Sequence, residues 1–176
     1  MSKLFPLPEN RNFLAQFNWK LFIKKCPNVS YFGQGVNLPS VALPAADQPT
    51  PFVNVPHPGD HVRYDDFVVR FVVDEDLANW LEIHDWLTDL GFPDRYDQFK
   101  NIKNSDGELP SVHGGLYSPA LLTLTTNARN PNLEFEFEGL WPTALSGLEL
   151  NATDNDVQYL TATAIFRYTL YRRKKV

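Results

Sequence analysis

The residues between Tyr64 and Leu90 change their hydrophobic period once, and this change restricts the folds open to the chain. Phe67, Val69 and Phe71 recur at every second position, which predicts a strand. From Leu77 onward, apolar residues recur every three or four positions, which predicts an amphipathic helix. A strand that leads directly into so apolar a helix implies that the helix lies across a sheet.

The predicted helix has signals at both ends. The acidic run 74–76 is expected to accept hydrogen bonds from the free N–H groups of the first turn. Gly91 and Pro93 are expected to end the helix, because glycine permits a left-handed residue and proline cannot continue the ladder. The helical side chains expected to pack on the sheet are Leu77, Trp80, Leu81, Trp86 and Leu87.

Alternation predicts strands elsewhere in the chain. The predicted strands are Phe17–Lys25, Val29–Phe32 after a turn at Cys26, a hairpin of Ala120–Thr126 with Leu133–Leu140, and a long final strand from Val157 to about Arg172. Trp141-Pro142-Thr143 is expected to break the hairpin. One α+β domain follows, with a mainly antiparallel sheet curled into a sandwich or barrel, one outer helix and long loops.

Residues 36–61 contain six prolines and cannot form an interior strand, because each proline removes a ladder donor. Their apolar residues nevertheless favour burial, with Phe52, Val53 and Val55 as candidate interface residues. The segment is either an extended loop packed on its own domain or an arm or edge hairpin on a neighbouring subunit. The long loop 92–118 is expected to be functional or to order on assembly. The predicted division is an N-terminal extension at 1–16, a domain at 17–172 and a basic tail at 173–176.

Composition restricts the functional classes. A net charge of −5 argues against a general electrostatic surface for holding DNA. The single cysteine, Cys26, excludes an internal disulfide framework and fits a reducing compartment. The sequence has no signal-peptide pattern and no apolar run near the ~20 residues that span a bilayer, so we expect no export and no membrane partner.

Histidine positions do not predict chemistry. His57 and His61 are four apart, but Pro56 and Pro58 prevent the helix that a metal pair at this spacing needs. His84 is expected to pack on the helix, and His113 precedes two glycines without a nucleophile elbow. The sequence therefore predicts no catalytic residue, no metal site and no cofactor, and the chain is not expected to be an enzyme.

Two charged runs have open interpretations. Glu134, Glu136 and Glu138 project from one face of a predicted strand. They form either an ordinary solvated face or an acidic wall that DNA passes without sticking. The cations Arg172, Arg173, Lys174 and Lys175 form either a solvated tail or a contact with an acidic partner or DNA.

Two stretches carry a family resemblance. The element Gly139–Thr143, followed by an acidic, asparagine-rich turn and a long closing strand, resembles the tail tube proteins of contractile-tailed phages. The strand–helix stretch Tyr64–Leu87 and its proline-rich approach are similar to the tail completion family of T-even-like myophages, which terminates the tube at its head-proximal end. The resemblance covers most of residues 17–172.

The resemblance implies a homo-oligomer, a hexameric ring whose sheets join around a DNA channel, within the virion tail and assembled in the host cytoplasm. It also implies contacts with the tail tube protein, with the sheath or a sheath terminator, and with a neck or head-completion protein. Under this hypothesis Glu134, Glu136 and Glu138 line the lumen. The ring ends tube and sheath assembly while DNA passes without sequence-specific binding.

Three alternatives to a terminator remain open. The chain could be the repeating tube subunit or a baseplate-proximal initiator. From another class, it could be a small lipocalin-like or carbohydrate-binding β module whose tryptophans, Trp19, Trp80, Trp86 and Trp141, stack on a ligand.

Overall fold

The computed structural model describes residues 11–91, 115–151 and 158–175. The predictions for residues 1–10, for most of the loop 92–118 and for Val157 lie outside this described part. Its elements, in chain order, are β1 (Trp19–Ile23), α1 (Pro27–Tyr31), β2 (Gly33–Val36), β3 (Val41–Ala42), β4 (Ala45–Pro49), β5 (Asn54–Pro58), β6 (Arg63–Tyr64), β7 (Phe67–Val72), α2 (Ala78–Gly91), β8 (Ser118–Thr125), β9 (Pro131–Leu145), β10 (Thr161–Arg167) and β11 (Leu170–Lys175).

Seven of these strands are joined through β9, and every pairing is antiparallel. The first half of β9 lies between β8 and β11, and β8 also pairs with β1. We call these four strands the front sheet. The second half of β9 pairs with β10, which continues to β7 and β2, and we call this group the back sheet.

The bend in β9 falls at Gly139, which adopts a left-handed backbone with φ of +67°. A Cβ at this position would lie 2.7 Å from the Oγ1 atom of Thr169, closer than any real contact. Thr169 also donates its N–H to the carbonyl of Glu138 at 2.9 Å. Glycine is therefore favoured at this bend, because it adopts the left-handed backbone without strain and leaves the Thr169 hydroxyl in place.

The core lies between the two sheets and under α2. Phe67 of β7 contacts Phe137 of β9 with ring centroids 4.5 Å apart, so aromatic side chains join the inner faces. The fully buried residues that surround this pair include Ile23, Val69, Phe71, Ile83, Leu122, Leu140 and Phe166. The predicted mainly antiparallel α+β fold is confirmed.

The strand–helix unit is present, but its junction differs from the prediction. Acidic residues do not cap the helix; the buried Asn79 holds the turn instead. Its amide donates to the carbonyl of Val72 at 2.7 Å and accepts from the N–H of Asp74 at 3.2 Å. Leu77 turns into the left-handed region, with φ of 59°, before the helix begins.

Because of this turn, α2 packs on the sheet with a different face from the one that the sequence predicted. Asn79, Ile83 and Trp86 are buried, whereas Leu77 and Leu81 are exposed. Trp80 and Leu87 lie half-buried against the core. Leu77 and Leu81 are therefore corrected from packing residues to surface residues.

Three further predictions were wrong. Residues 27–31 form the short helix α1 and not a strand, because Pro27 fits the first turn of a helix. Strand β9 continues through Trp141-Pro142-Thr143, where Pro142 lies beside a register shift between Ile165 and Phe166 that accommodates its missing donor. The final strand is divided at Tyr168-Thr169 into β10 and β11.

We expect Ile83→Ala to lower the free energy of unfolding by about 2–4 kcal/mol, because it opens a cavity at a fully buried position. The matched variant Leu81→Ala removes a similar side chain that is 41% exposed, and should cost less than about 1 kcal/mol. Urea unfolding with a shared m-value measures both. Equal losses would contradict the orientation of α2.

Candidate assembly interfaces

Residues 41–64, which we call the arm, form a projection made mainly of the β4–β5 hairpin. The hairpin pairs from Ala45–Pro58 to Pro49–Asn54, and the Gly59 N–H closes its base by donating to the Pro44 carbonyl at 2.8 Å. Every residue of both strands is exposed. The prolines shape this hairpin without entering the main sheets, so the alternative of a loop packed on its own domain does not describe these strands.

The tip of the arm presents apolar side chains to solvent. Phe52 is 98% exposed and Val53 64% exposed, and Val55 is also exposed on β5. Thr50 closes the tip by donating its hydroxyl to the carbonyl of Val53. An ordered projection with such a tip indicates a surface that a partner covers.

The root of the arm is fixed to the front sheet by tyrosines. The Tyr64 ring lies 5.9 Å from that of Tyr168 and 5.4 Å from that of Tyr171. The Tyr168 hydroxyl donates to the carbonyl of Asp65 at 3.0 Å, and the Tyr171 hydroxyl reaches the carbonyl of Pro39 at 3.5 Å. Burial, followed by the neighbouring tyrosines, raises the pKa of Tyr168, so this hydroxyl remains a donor.

Hydrogen bonds and an ion pair beside these rings fix the two segments that flank the arm, residues 37–40 and 65–68. The Ser40 hydroxyl donates to the carboxylate of Asp65. The Asn37 side chain donates to the carbonyl of Asp66 at 3.0 Å and accepts from the N–H of Val68 at 2.7 Å. Arg167 pairs with Asp66 at 3.0 Å. The arm is thus exposed along its length but anchored at its root.

In the described part of the chain, no strand pairs with the outer edge of β1, which is therefore an open edge. The Lys24 N–H donates to Pro119 and the Thr125 N–H donates to Asn18, so the even-numbered residues of β1 bond to β8. The backbone groups of Trp19 and Leu21 consequently point away from β8. Among the described residues, this side is closed only at Ile23, whose N–H donates to the Ser30 hydroxyl at 2.9 Å.

A groove runs along this edge between β1 and the α1–β2 connection. Trp19, Leu21 and Gly33 line it, and Phe17 and Tyr31 lie at its mouth. These two aromatic side chains are 75% and 83% exposed. Within the described residues, β11 at the other side of the front sheet also pairs on one side only, with β9.

The front sheet has a charged outer face, which we call the front face. Glu134, Glu136 and Glu138 lie on it, opposite the core residues Phe135 and Phe137. Directly across from Glu136 and Glu134 are Arg172 and Lys174 of β11. Arg172 also pairs with Glu138 at 3.0 Å.

The cations of the C-terminal run therefore do not form a tail. Residues 173–175 belong to β11, and Arg172 and Lys174 alternate with Arg173 and Lys175 across it. Each exposed ion pair adds only about 0–1 kcal/mol, but the row of opposite charges favours one register of β11 on β9. The carboxylates consequently do not form a purely acidic surface.

The other residues that the sequence singled out have structural positions. The Cys26 thiol is buried, which raises its pKa to about 12 with a smaller effect of Glu82. The His84 ring stacks on Trp80 with centroids 5.1 Å apart, and His57 contacts the side chain of Gln48 at 3.1 Å. The part of the chain that the structure describes holds no cluster of three metal-binding side chains. None of its helices is both long enough and apolar enough to cross a bilayer.

Comparison with solved structures identifies the class of fold. A chain of the anti-feeding prophage cap, a tube terminating cap, superposes with a TM-score of 0.59 and 9% identity over 100% of both chains. A chain of the sheath–tube complex of the PVC extracellular contractile injection system gives a TM-score of 0.59 and 12% identity over 94% of both. The chain has the fold of tail tube-type proteins.

The sequence comparison is more specific. The chain is 28% identical over 145 residues to the tail tube terminator protein of Enterobacteria phage T4, a match that covers 81% of this chain and 76% of that protein. No protein-family model matches the chain. The resemblance to tail tube terminators is confirmed.

Sequence reasoning missed the arm root and the open edge of β1. Tyr64 is far in the sequence from Tyr168 and Tyr171, and the β7–β10 and β9–β11 pairings bring the three rings together. The open edge had a weak signal, since Phe17 and Phe22 are apolar residues on a strand that also carries outward lysines.

We expect Tyr64→Ala to loosen the arm, because it removes the ring that contacts both Tyr168 and Tyr171. Amide hydrogen exchange within residues 41–64 should accelerate at least several-fold, while the front sheet keeps its protection. Tyr159→Ala, which truncates an exposed tyrosine away from these rings, serves as the control. Unchanged exchange in the arm would show that the tyrosines do not anchor it.

Proposed function

We propose that this protein is the terminator of a contractile tail tube and forms a closed ring at the head-proximal end of the tube. The ring ends tube and sheath assembly, contacts the neck, and lets DNA pass through its lumen. The similarity to the T4 tail tube terminator and the shared tube fold support this role. The protein acts in the virion tail as a structural component, without catalysis or cofactor.

The observation that carries the proposal is the pair of open edges on the front sheet. Strand β1 runs parallel to β9, and β11 runs antiparallel to both, because every neighbouring pair is antiparallel. A copy that places its β11 beside β1 of the next copy therefore continues the alternation. Two different edges meet at such a contact, so it is heterologous and closes when the rotation completes a circle.

Closure also removes two exposed edges that would otherwise promote uncontrolled aggregation. The family resemblance implies six copies in the ring. The arm extends beyond the sheets and is anchored at its root, so it reaches a neighbouring subunit in this arrangement. The apolar tip at Phe52 and Val53 is then covered in the assembly.

A capping experiment distinguishes a terminator from a tube subunit. The purified protein should form single rings, and substoichiometric amounts should stop elongation of tubes made from the tail tube protein of the same phage. Electron microscopy of tube lengths reads the result. Polymerisation of this protein alone into long tubes would identify it as a tube subunit, whereas a stable monomer that binds a sugar or apolar ligand would exclude the ring.

We expect Phe52→Ser combined with Val53→Ser to weaken assembly by roughly 100-fold, since two apolar side chains lose about 3 kcal/mol of burial. The fold should persist, because both residues are exposed in a single copy. Sedimentation velocity over a concentration series measures the shift. Leu150→Ser combined with Tyr159→Ser, which alters two exposed apolar residues outside the arm, should keep the ring. Equal behaviour of the two double variants would exclude the arm from assembly.

A further inference from the structure

The front face carries more cations than carboxylates, although the chain as a whole has a net charge of −5. Its charged side chains fall on three strands. The cations are Lys20 of β1, Lys24 just after β1, and Arg172 and Lys174 of β11. The carboxylates are Glu134, Glu136 and Glu138 of β9.

The register places these charges in rows across the sheet. One row runs from Lys20 through Thr123 and Glu134 to Lys174. The next row runs from Phe22 through Leu121 and Glu136 to Arg172. The cations of β11 thus adjoin the carboxylates of β9, whereas uncharged residues of β8 separate those carboxylates from β1.

Lys20 and Lys24 are consequently the uncompensated charges of this face. They are exposed, and the described part of the chain gives neither an ion-pair partner. Strands β1 and β9 are two strand spacings apart, about 9.5 Å at the backbone. An uncharged residue of β8, such as Thr123, lies between Lys20 and the carboxylate of the same row, so no carboxylate directly adjoins this lysine.

We propose that the ring contacts double-stranded DNA through a basic stripe at each junction between copies, formed by Lys20 and Lys24 of one copy and Arg172 and Lys174 of the next. This inference rests on the proposed function, which brings β11 of one copy beside β1 of its neighbour. The stripes alternate around the lumen with the acidic rows of β9. Lysine and arginine on an open sheet face suit phosphate contacts that do not read sequence.

The stripe also affects the ring itself. Arg172 and Lys174 already adjoin carboxylates of β9, so the excess positive charge at the junction comes from Lys20 and Lys24 of the neighbouring copy, and like charges brought side by side weaken strand pairing when no anion is bound. Phosphates that lie over the stripe relieve this repulsion. DNA should therefore favour the ring, since a ligand that binds only the assembled state stabilises it.

The experiment compares the wild type with Lys20→Glu/Lys24→Glu and with the control Arg11→Glu/Arg70→Glu. Both variants have the same net charge, but the control changes exposed cations outside the front face. Fluorescence anisotropy measures binding to a linear duplex of about 30 base pairs at low and physiological salt, and sedimentation velocity measures the ring population. The lysine variant should bind the duplex at least roughly tenfold more weakly than the control, with a shallower salt dependence.

The outcomes separate this inference from the proposed function. Rings that form normally but bind the duplex equally in both variants, or not at all in the wild type, overturn the basic stripe and leave the terminator role intact. Poly-glutamate that binds the wild type as well as the duplex does would assign the stripe to an acidic protein and overturn the DNA contact. A wild type that remains monomeric with and without duplex overturns both proposals.

Discussion

The bent strand β9 is the constraint on which the rest of the structure depends. Its 15 residues belong to both sheets, and Gly139 supplies the left-handed turn at which one sheet gives way to the other. The first half positions the acidic row and receives β11, and the second half receives β10. Because β11 in turn carries Tyr171 to the arm root, this single strand fixes the core, the charged face and the direction of the arm.

Much of the fold was predictable because its signals are local. The alternation around Phe67 and the hairpin of β8 with β9 needed only side-chain period and a polar turn. The errors arose where one hydrogen bond, one backbone angle or one pairing register decides the outcome and side-chain period does not. Asn79 and the left-handed Leu77 rotate α2, and Pro142 remains in a strand because β10 shifts register beside it. No periodicity in the sequence contains these contacts.

The candidate interfaces were predictable only where their signal lies within one segment of the sequence. The proline pattern excluded an interior strand and left a packed loop or an arm, and the exposure of Phe52 agrees with the arm. The charged runs were each recognised but interpreted separately, since nothing in the sequence shows that Arg172 lies across from Glu136. Because β11 pairs with β9, the acidic residues and the basic residues lie on one mixed face and do not form a separate acidic wall and basic tail. In the proposed ring, that face, the open edges and the arm join copies around a nucleic acid.

The central claim is a closed ring joined between β11 of one copy and β1 of the next. Single-particle cryo-electron microscopy of the purified full chain tests this claim most directly. The account predicts closed single rings in which the front sheets form one continuous antiparallel barrel, with the front face toward the lumen and the arm on a neighbouring copy. Monomers, open filaments, or rings in which β1 and β11 remain unpaired would contradict it.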